Sequence, residues 1–120
     1  MVEKYLLSLL LEVGRKKGLI TYCCLASRLN GAVGRKLLPE KGRGCGRVAV
    51  HLHRLCRKFY SLYGVLPGSV VVSKVTGMPS AGYFKFLREM GINFSDERDF
   101  WLEALYRFYD FSLQFAFEEL

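Results

Sequence analysis

The segment RVAVHLHRLCRKFYSLY, residues 47–63, decides the fold. Val48, Leu52, Leu55, Phe59 and Leu62 recur at steps of four, three, four and three, the spacing of one face of an α-helix. Arg47, His51, Arg54 and Lys58 recur at the same steps on a neighbouring stripe. A helix that buries one face and shows Arg, His, Arg and Lys on another is suited to a nucleic acid. The bland alternative, weighed below it, is a solvated basic helix on an ordinary globule.

Toward the N-terminus this helix is preceded by RKLLPEKGRGCG, residues 35–46. From Arg35 to Lys58 there are eight Lys or Arg, two His and a single acid, Glu40. Residues 31–46 are rich in glycine, carry Pro39, and predict a long loop or a loop with one short helical turn. Further back, Leu6, Leu9, Leu10 and Val13 predict a first helix from Val2 to about Lys16, stopped at Gly18. Leu19-Ile20 is a short extended piece. Thr21 is an N-cap for a second helix, Tyr22 to Leu29, closed by Asn30-Gly31.

Beyond the basic helix, Gly64 and Leu66-Pro67-Gly68 redirect the chain, and the β-branched run Ser69–Ser73 predicts a strand. Thr76–Ser80 is a turn cluster. Tyr83-Phe84 begins a returning strand, or else Ala81–Met90 is already helix, with Gly91 as its cap. Ser95 or Asp96 caps a last helix running to the C-terminus. The expected class is α+β, mostly helical: a winged helix-turn-helix with a C-terminal aromatic-rich helix. In that architecture the third helix enters the major groove and a strand-turn-strand wing, here bracketed by Lys74 and Lys85, rides on phosphate. Residues 1–94 are expected to form the winged-helix-like DNA-binding domain, and 95–120 a helix for packing or dimerisation. Phe100, Trp101, Leu105, Phe108, Phe111, Phe115 and Phe117 leave that helix almost no polar face. The expectation is a homodimer through it, against a deep monomer core.

A chain of 120 residues with a formal charge of +7 fits one domain with a real core. The charge is uneven: through Lys74 there are 14 basic and 3 acidic residues, +11; beyond it 4 and 8, −4. A polyanion partner is expected on the first two thirds. Cys23 and Cys24 are adjacent and Cys45 and Cys56 stand alone, so no disulfide framework or Cys-x-x-Cys pair is expected, only small buried thiols in a cytoplasmic, reducing setting. His51 and His53 diverge on a helix, so no zinc site is expected among Cys45, His51, His53 and Cys56. The apolar run Tyr5–Leu11 is too short to span a bilayer, and no signal peptide is expected.

Catalytic residues are not expected either. Asp96, Glu97 and Asp99 lie where they favour a helix N-terminus, and only Glu3, Glu12 and Glu40 share the basic half. Lys41–Arg47 is glycine-rich but lacks the spacing of a phosphate loop. Its glycines still permit backbone amides to approach a DNA phosphate.

Three short segments carry a family resemblance. Gly18-Leu19-Ile20-Thr21-Tyr22 followed by Leu25-Ala26 resembles the Gly-x-Val-Thr-Thr-Tyr-Gly-x-Ile-Ala that opens the DNA-binding domain of alkylguanine-DNA alkyltransferases and alkyltransferase-like proteins. Phe86-Leu87-Arg88-Glu89-Met90-Gly91-Ile92-Asn93-Phe94 resembles that family's Leu-Leu-x-x-Glu-Gly-Val-x-Phe. Pro67-Gly68-Ser69-Val70-Val71-Val72 stands where the family has Pro-Cys-His-Arg-Val-Val. The resemblance covers most of residues 5–95, in order, and implies the fold and DNA binding. It does not imply alkyl transfer, because Gly68 replaces the accepting cysteine and Ser69 its activating histidine. Alkyltransferase-like proteins also lack that cysteine. The family flips a nucleotide with an arginine that precedes a Val-Gly. Ala32-Val33-Gly34-Arg35 repeats the wording with Gly31 at the arginine position, whereas Arg47 fits the distance to Pro67 better and is the favoured finger. Residues 35–46 have no counterpart in the family pattern, and the last helix runs past its end.

These readings converge on a non-enzymatic protein, without cofactor or metal, that binds double-stranded DNA. Arg47, His51, Arg54 and Lys58 face the groove, Arg35, Lys36, Lys41 and Arg43 reach phosphate from the loop, and Lys74 does so from the wing. RNA is the other nucleic acid to weigh. The second reading is a protein-interaction adaptor, of viral or plasmid type, whose basic helix docks on an acidic partner.

Overall fold

The computed structural model describes residues 2–115. The chain runs α1 (Val2–Arg15), β1 (Ile20–Thr21), α2 (Tyr22–Val33), a 3₁₀ turn at Gly42–Arg47, and α3 (Val48–Tyr63). It continues through a second 3₁₀ turn at Pro67–Val70 to β2 (Val71–Val72), α4 (Ala81–Glu89) and α5 (Glu97–Gln114). The class is α+β and mostly helical, with a two-stranded parallel sheet in which Ile20 pairs with Val71 and Thr21 with Val72. Of the two readings of residues 81–90, helix is the one formed. Tyr83, Phe84, Phe86 and Leu87 all turn inward at helical spacing, so no returning strand exists there and β2 pairs backward with β1. The strand expected over Ser69–Ser73 is shorter, because Pro67 opens a 3₁₀ turn that lasts to Val70.

The caps explain where the helices start. Thr21 Oγ1 accepts from the Cys24 amide at 3.3 Å, and Asp96 Oδ1 accepts from Asp99 at 2.8 Å. The end of α2 departs from expectation. Asn30 does not close the helix; it stays in the helix, 4% exposed, and Gly34 ends it in the left-handed conformation at φ +87°. The Asn30 side chain is occupied by the following loop. Its Oδ1 accepts from the Leu37 and Leu38 amides, both at 2.9 Å, and its Nδ2 donates to the Leu38 carbonyl at 2.8 Å and to Glu40 Oε2 at 2.6 Å. Asn30→Asp would set a carboxylate against two acceptors. It is expected to lower stability in a urea titration by about 2–3 kcal/mol at neutral pH. An unchanged midpoint would contradict this bracket.

Helix α1 lies at the centre, burying Leu6, Leu7, Leu10, Leu11 and Val13 against α2, α3, α5 and the Pro67–Val70 turn. It meets α5 closely. A Cβ on Gly14 would stand 2.9 Å from Phe108 Cε2 and collide with Ser112 Oγ. Arg15 then fastens the end of α5, donating from Nε to the Ser112 carbonyl at 2.9 Å and from Nη2 to Phe115 at 3.0 Å. On its other sides α5 buries Trp101, whose Nε1 donates to the Ser69 carbonyl at 2.8 Å, and sets Phe111 and Phe115 edge-on or tilted against Phe59 and Tyr63 of α3. The apolar surface of α5 is thus largely used within its own core, while Glu103, Arg107 and Asp110 give it a polar face. Tyr106 and Leu113 are the large apolar side chains it leaves exposed among the described residues. Phe117 lies outside them.

On α3, Val48, Leu52, Leu55 and Phe59 are buried as their spacing predicts; Leu62 is not, at 61% exposed. Among the described residues no helix is long and apolar enough to cross a membrane.

Candidate nucleic-acid interface

Three helices begin around one cleft. Thr21 and Tyr22 open α2, Gly46 and Ala49 flank the start of α3, and Ser80 is the N-cap of α4. Together with Cys23, Gly42, Arg43, Cys45 and the turn residues Ser73, Lys74 and Val75 they enclose about 440 Å³. Helix N-termini carry unpaired amides and partial positive charge, and the lining adds Arg43 and Lys74 with no Asp or Glu.

The walls are firmly set. The Tyr22 hydroxyl accepts from the Ser80 amide at 3.0 Å and donates to Ser80 Oγ at 3.2 Å, tying the start of α2 to the start of α4. The turn across the cleft is closed by Ser73 N–H to the Met78 carbonyl at 2.7 Å and Gly77 N–H to Ser73 at 2.9 Å. Gly77 sits at φ +72°, which favours glycine there. Val75, at the tip, is 93% exposed beside Lys74.

The third wall corrects the expectation about cysteines. Cys23 and Cys45 form a disulfide, with Cα atoms 4.9 Å apart, that ties the Gly42–Arg47 turn to the first turn of α2. Their 22-residue separation offered no motif; the loop's return toward α2 brings them together. Cys24 is an exposed thiol and Cys56 a buried one.

The basic residues fall into groups. Arg43 and Lys74 line the cleft, and Lys41 and Arg47 flank the turn that forms its wall; Lys41, Arg43, Arg47 and Lys74 are all exposed. The stripe expected on α3 is present but turned away. At about 100° per residue, His51 lies about 160° round the helix from the cleft residue Ala49, and Lys58 about 180°. Arg54, about 140° round, faces outward with them. Arg35 and Lys36 are exposed on the loop just after α2 and do not line the cleft. Among the described residues the ion pairs are Lys16–Glu12, Arg28–Glu12, Arg88–Glu97 and Arg107–Glu103, so none uses these nine positions.

Facing the same side of α3 as Ala49, His53 stacks on Phe86 with ring centroids 4.1 Å apart, and the Arg57 guanidinium lies 5.3 Å from that ring. Burial pushes the His53 pKa down, Glu89 opposes this, and Arg57 adds to it. A neutral stacked imidazole serves packing, not phosphate binding.

The positions that resemble the alkyl-transfer site are closed. Gly68 and Ser69 are fully covered in the Pro67–Val70 turn, with the Gly68 amide 3.2 Å from Cys56 Sγ and Ser69 Oγ 2.7 Å from the Tyr83 hydroxyl. A Cβ at Gly68 would approach Cys56 Sγ to 3.0 Å. Burial raises the Cys56 thiol to about 12, so it stays protonated and unreactive at neutral pH. Among the described residues no group of three His, Cys, Asp or Glu is placed to hold a metal ion.

Tyr22, Ser80 and the disulfide were not among the site residues read from the sequence. Tyr22 had a signal, since it ends one of the resembling segments. Ser80 showed only a turn. Compared with known proteins, the chain matches no family model, no curated protein and no solved structure.

Proposed function

We propose that the protein binds duplex DNA without enzymatic activity, in the manner of a winged-helix, alkyltransferase-like protein. The observation that carries this reading is the cleft: three helix starts and two cations converge on about 440 Å³ that no carboxylate lines. Phosphates bind Lys41, Arg43, Arg47 and Lys74 around the rim. Arg54 extends the contact along α3, and Arg35 and Lys36 contribute at longer range. The turn from Ser73 to Ser80 takes the place of a wing. An extrahelical base would enter the cleft past Arg47, against the Tyr22 ring and the Ser80 hydroxyl.

The absence of chemistry in this reading rests on Gly68 and on the covered, protonated Cys56. It also rests on the carboxylates Asp96, Glu97 and Asp99, which sit at the start of α5, away from the cleft lining. Fluorescence anisotropy with matched double-stranded DNA, single-stranded DNA and RNA tests the proposal. Duplex DNA is expected to bind most tightly, and a duplex with a mismatched base tighter still, because less pairing and stacking is lost when that base leaves the helix. Preference for RNA, or for an acidic peptide with no DNA binding, would overturn it.

A further inference from the structure

We propose that the Cys23–Cys45 disulfide is a redox clasp that sets the affinity of the cleft for DNA. The proposal rests on the nucleic-acid reading above and adds regulation to it. Both cysteines line the cleft, on either side of Arg43 and its flanking glycines. The clasp acts on a wall built from a single glycine-rich 3₁₀ turn. Between Gly34 and the Gly42–Arg47 turn the chain is irregular, and the Asn30 bracket secures it only as far as Glu40. From Lys41 to Gly46 the segment contains three glycines, with Gly42 at φ +67°, and the disulfide is its covalent tie to α2. That same segment carries Lys41 and Arg43 and leads directly into Arg47.

The bond is placed to be exchanged. Cys45 is 2% exposed, whereas Cys23 is half-buried and faces the open cleft. A thiolate of a small dithiol enters and attacks Cys23 Sγ. The sulfur–sulfur bond breaks, and Cys45 leaves as a thiolate that takes a proton from solvent. The second thiol of the reagent then attacks the mixed disulfide and releases Cys23, also protonated. Two electrons pass from the dithiol, which ends as its cyclic disulfide. Oxidised glutathione reverses the exchange, accepting two electrons as the Cys23–Cys45 bond reforms. In a reducing compartment, disulfides of this kind are transient and sensing, not permanent staples.

Opening the clasp frees the Gly42–Arg47 turn from α2 and leaves it joined to α3, whose Val48 amide donates to the Cys45 and Gly46 carbonyls. What changes is the order of the Lys41–Arg47 segment. Its two arginines then have to be immobilised when DNA binds, a cost that weakens affinity by about tenfold.

The test compares duplex-DNA affinity of the full chain in the oxidised state, after dithiothreitol, and after reoxidation with oxidised glutathione. Tryptic cleavage after Lys41 and Arg43 is followed in parallel, and thiols are counted by maleimide labelling. The expected result is reversible weakening of about tenfold, faster cleavage at those two sites in the reduced protein, and two additional labelled thiols. Cys23→Ser/Cys45→Ser should behave as reduced in both oxidation states, and Cys24→Ala should respond as the parent does. Should the double variant fail to fold, the reduction and reoxidation of the parent chain decides. Equal affinity in the two redox states overturns the clasp alone. No DNA binding in either state overturns the nucleic-acid reading, and the clasp as a control of DNA affinity with it.

Discussion

Replacing Arg43 and Arg47 together by alanine is expected to weaken duplex-DNA binding on the order of a hundredfold, with folding unchanged. Arg43 lines the cleft and Arg47 ends the turn that forms its wall, and both are exposed and take no part in the ion pairs Lys16–Glu12, Arg28–Glu12, Arg88–Glu97 and Arg107–Glu103. A charge-assisted hydrogen bond to phosphate contributes about 1.5 kcal/mol or more, and each 1.4 kcal/mol is roughly tenfold in affinity. Losing both should also flatten the dependence of log K on log salt by about 1.8. The informative control is Lys58→Ala. Lys58 shares the sequence stripe of Arg47 but lies about three turns further along α3, away from the turn that Arg47 ends. Its loss should cost less than threefold by the same conversion, about 0.6 kcal/mol. Equal losses from the double variant and from Lys58→Ala would place the contact along the α3 stripe and not at the cleft.

The second large effect concerns stability. Phe108→Ala is expected to lower unfolding free energy by about 3–5 kcal/mol. Phe108 is fully buried in α5, packed where Gly14 lets α1 approach. Typical domains have only about 5–15 kcal/mol to lose, so the melting temperature should fall by roughly 10–20 °C. Gly14→Val tests the same contact from the other helix, since any Cβ there meets Phe108 and Ser112. The prediction separates two roles for α5. If α5 is part of the core, Phe108→Ala lowers one cooperative transition seen by both circular dichroism and Trp101 fluorescence. If it is an appended arm, residues 1–94 would melt unchanged and only the self-association of the chain would alter.

What the sequence made legible was local. The period of Val48, Leu52, Leu55 and Phe59, the Thr21 and Asp96 caps, and the break at Gly64 each depend on neighbours within a turn or two. Tyr83-Phe84-Lys85-Phe86-Leu87 was open because its apolar residues satisfy both alternation and helical spacing; burial of Tyr83, Phe84, Phe86 and Leu87 on one helical side resolved it. Asn30 misled because asparagine before glycine is an ordinary helix stop, whereas here its amide matches the donors and acceptors of residues 37–40. The Cys23–Cys45 bond and the cleft had no signal in spacing. They arise where α2, the 3₁₀ turn and the Ser73–Ser80 turn fold together across the chain. For the site, residue types and charge were legible; their grouping was not. The α3 stripe residues His51, Arg54 and Lys58 all face away from the cleft residue Ala49.

The central claim is that the basic surface around the cleft binds DNA through phosphate. Measuring duplex-DNA affinity from about 50 to 200 mM salt tests it most directly. With about six of the eight Lys and Arg side chains on phosphate, log K should fall with log salt at a slope near −5. A slope near zero, or no binding at about 50 mM salt, would contradict it.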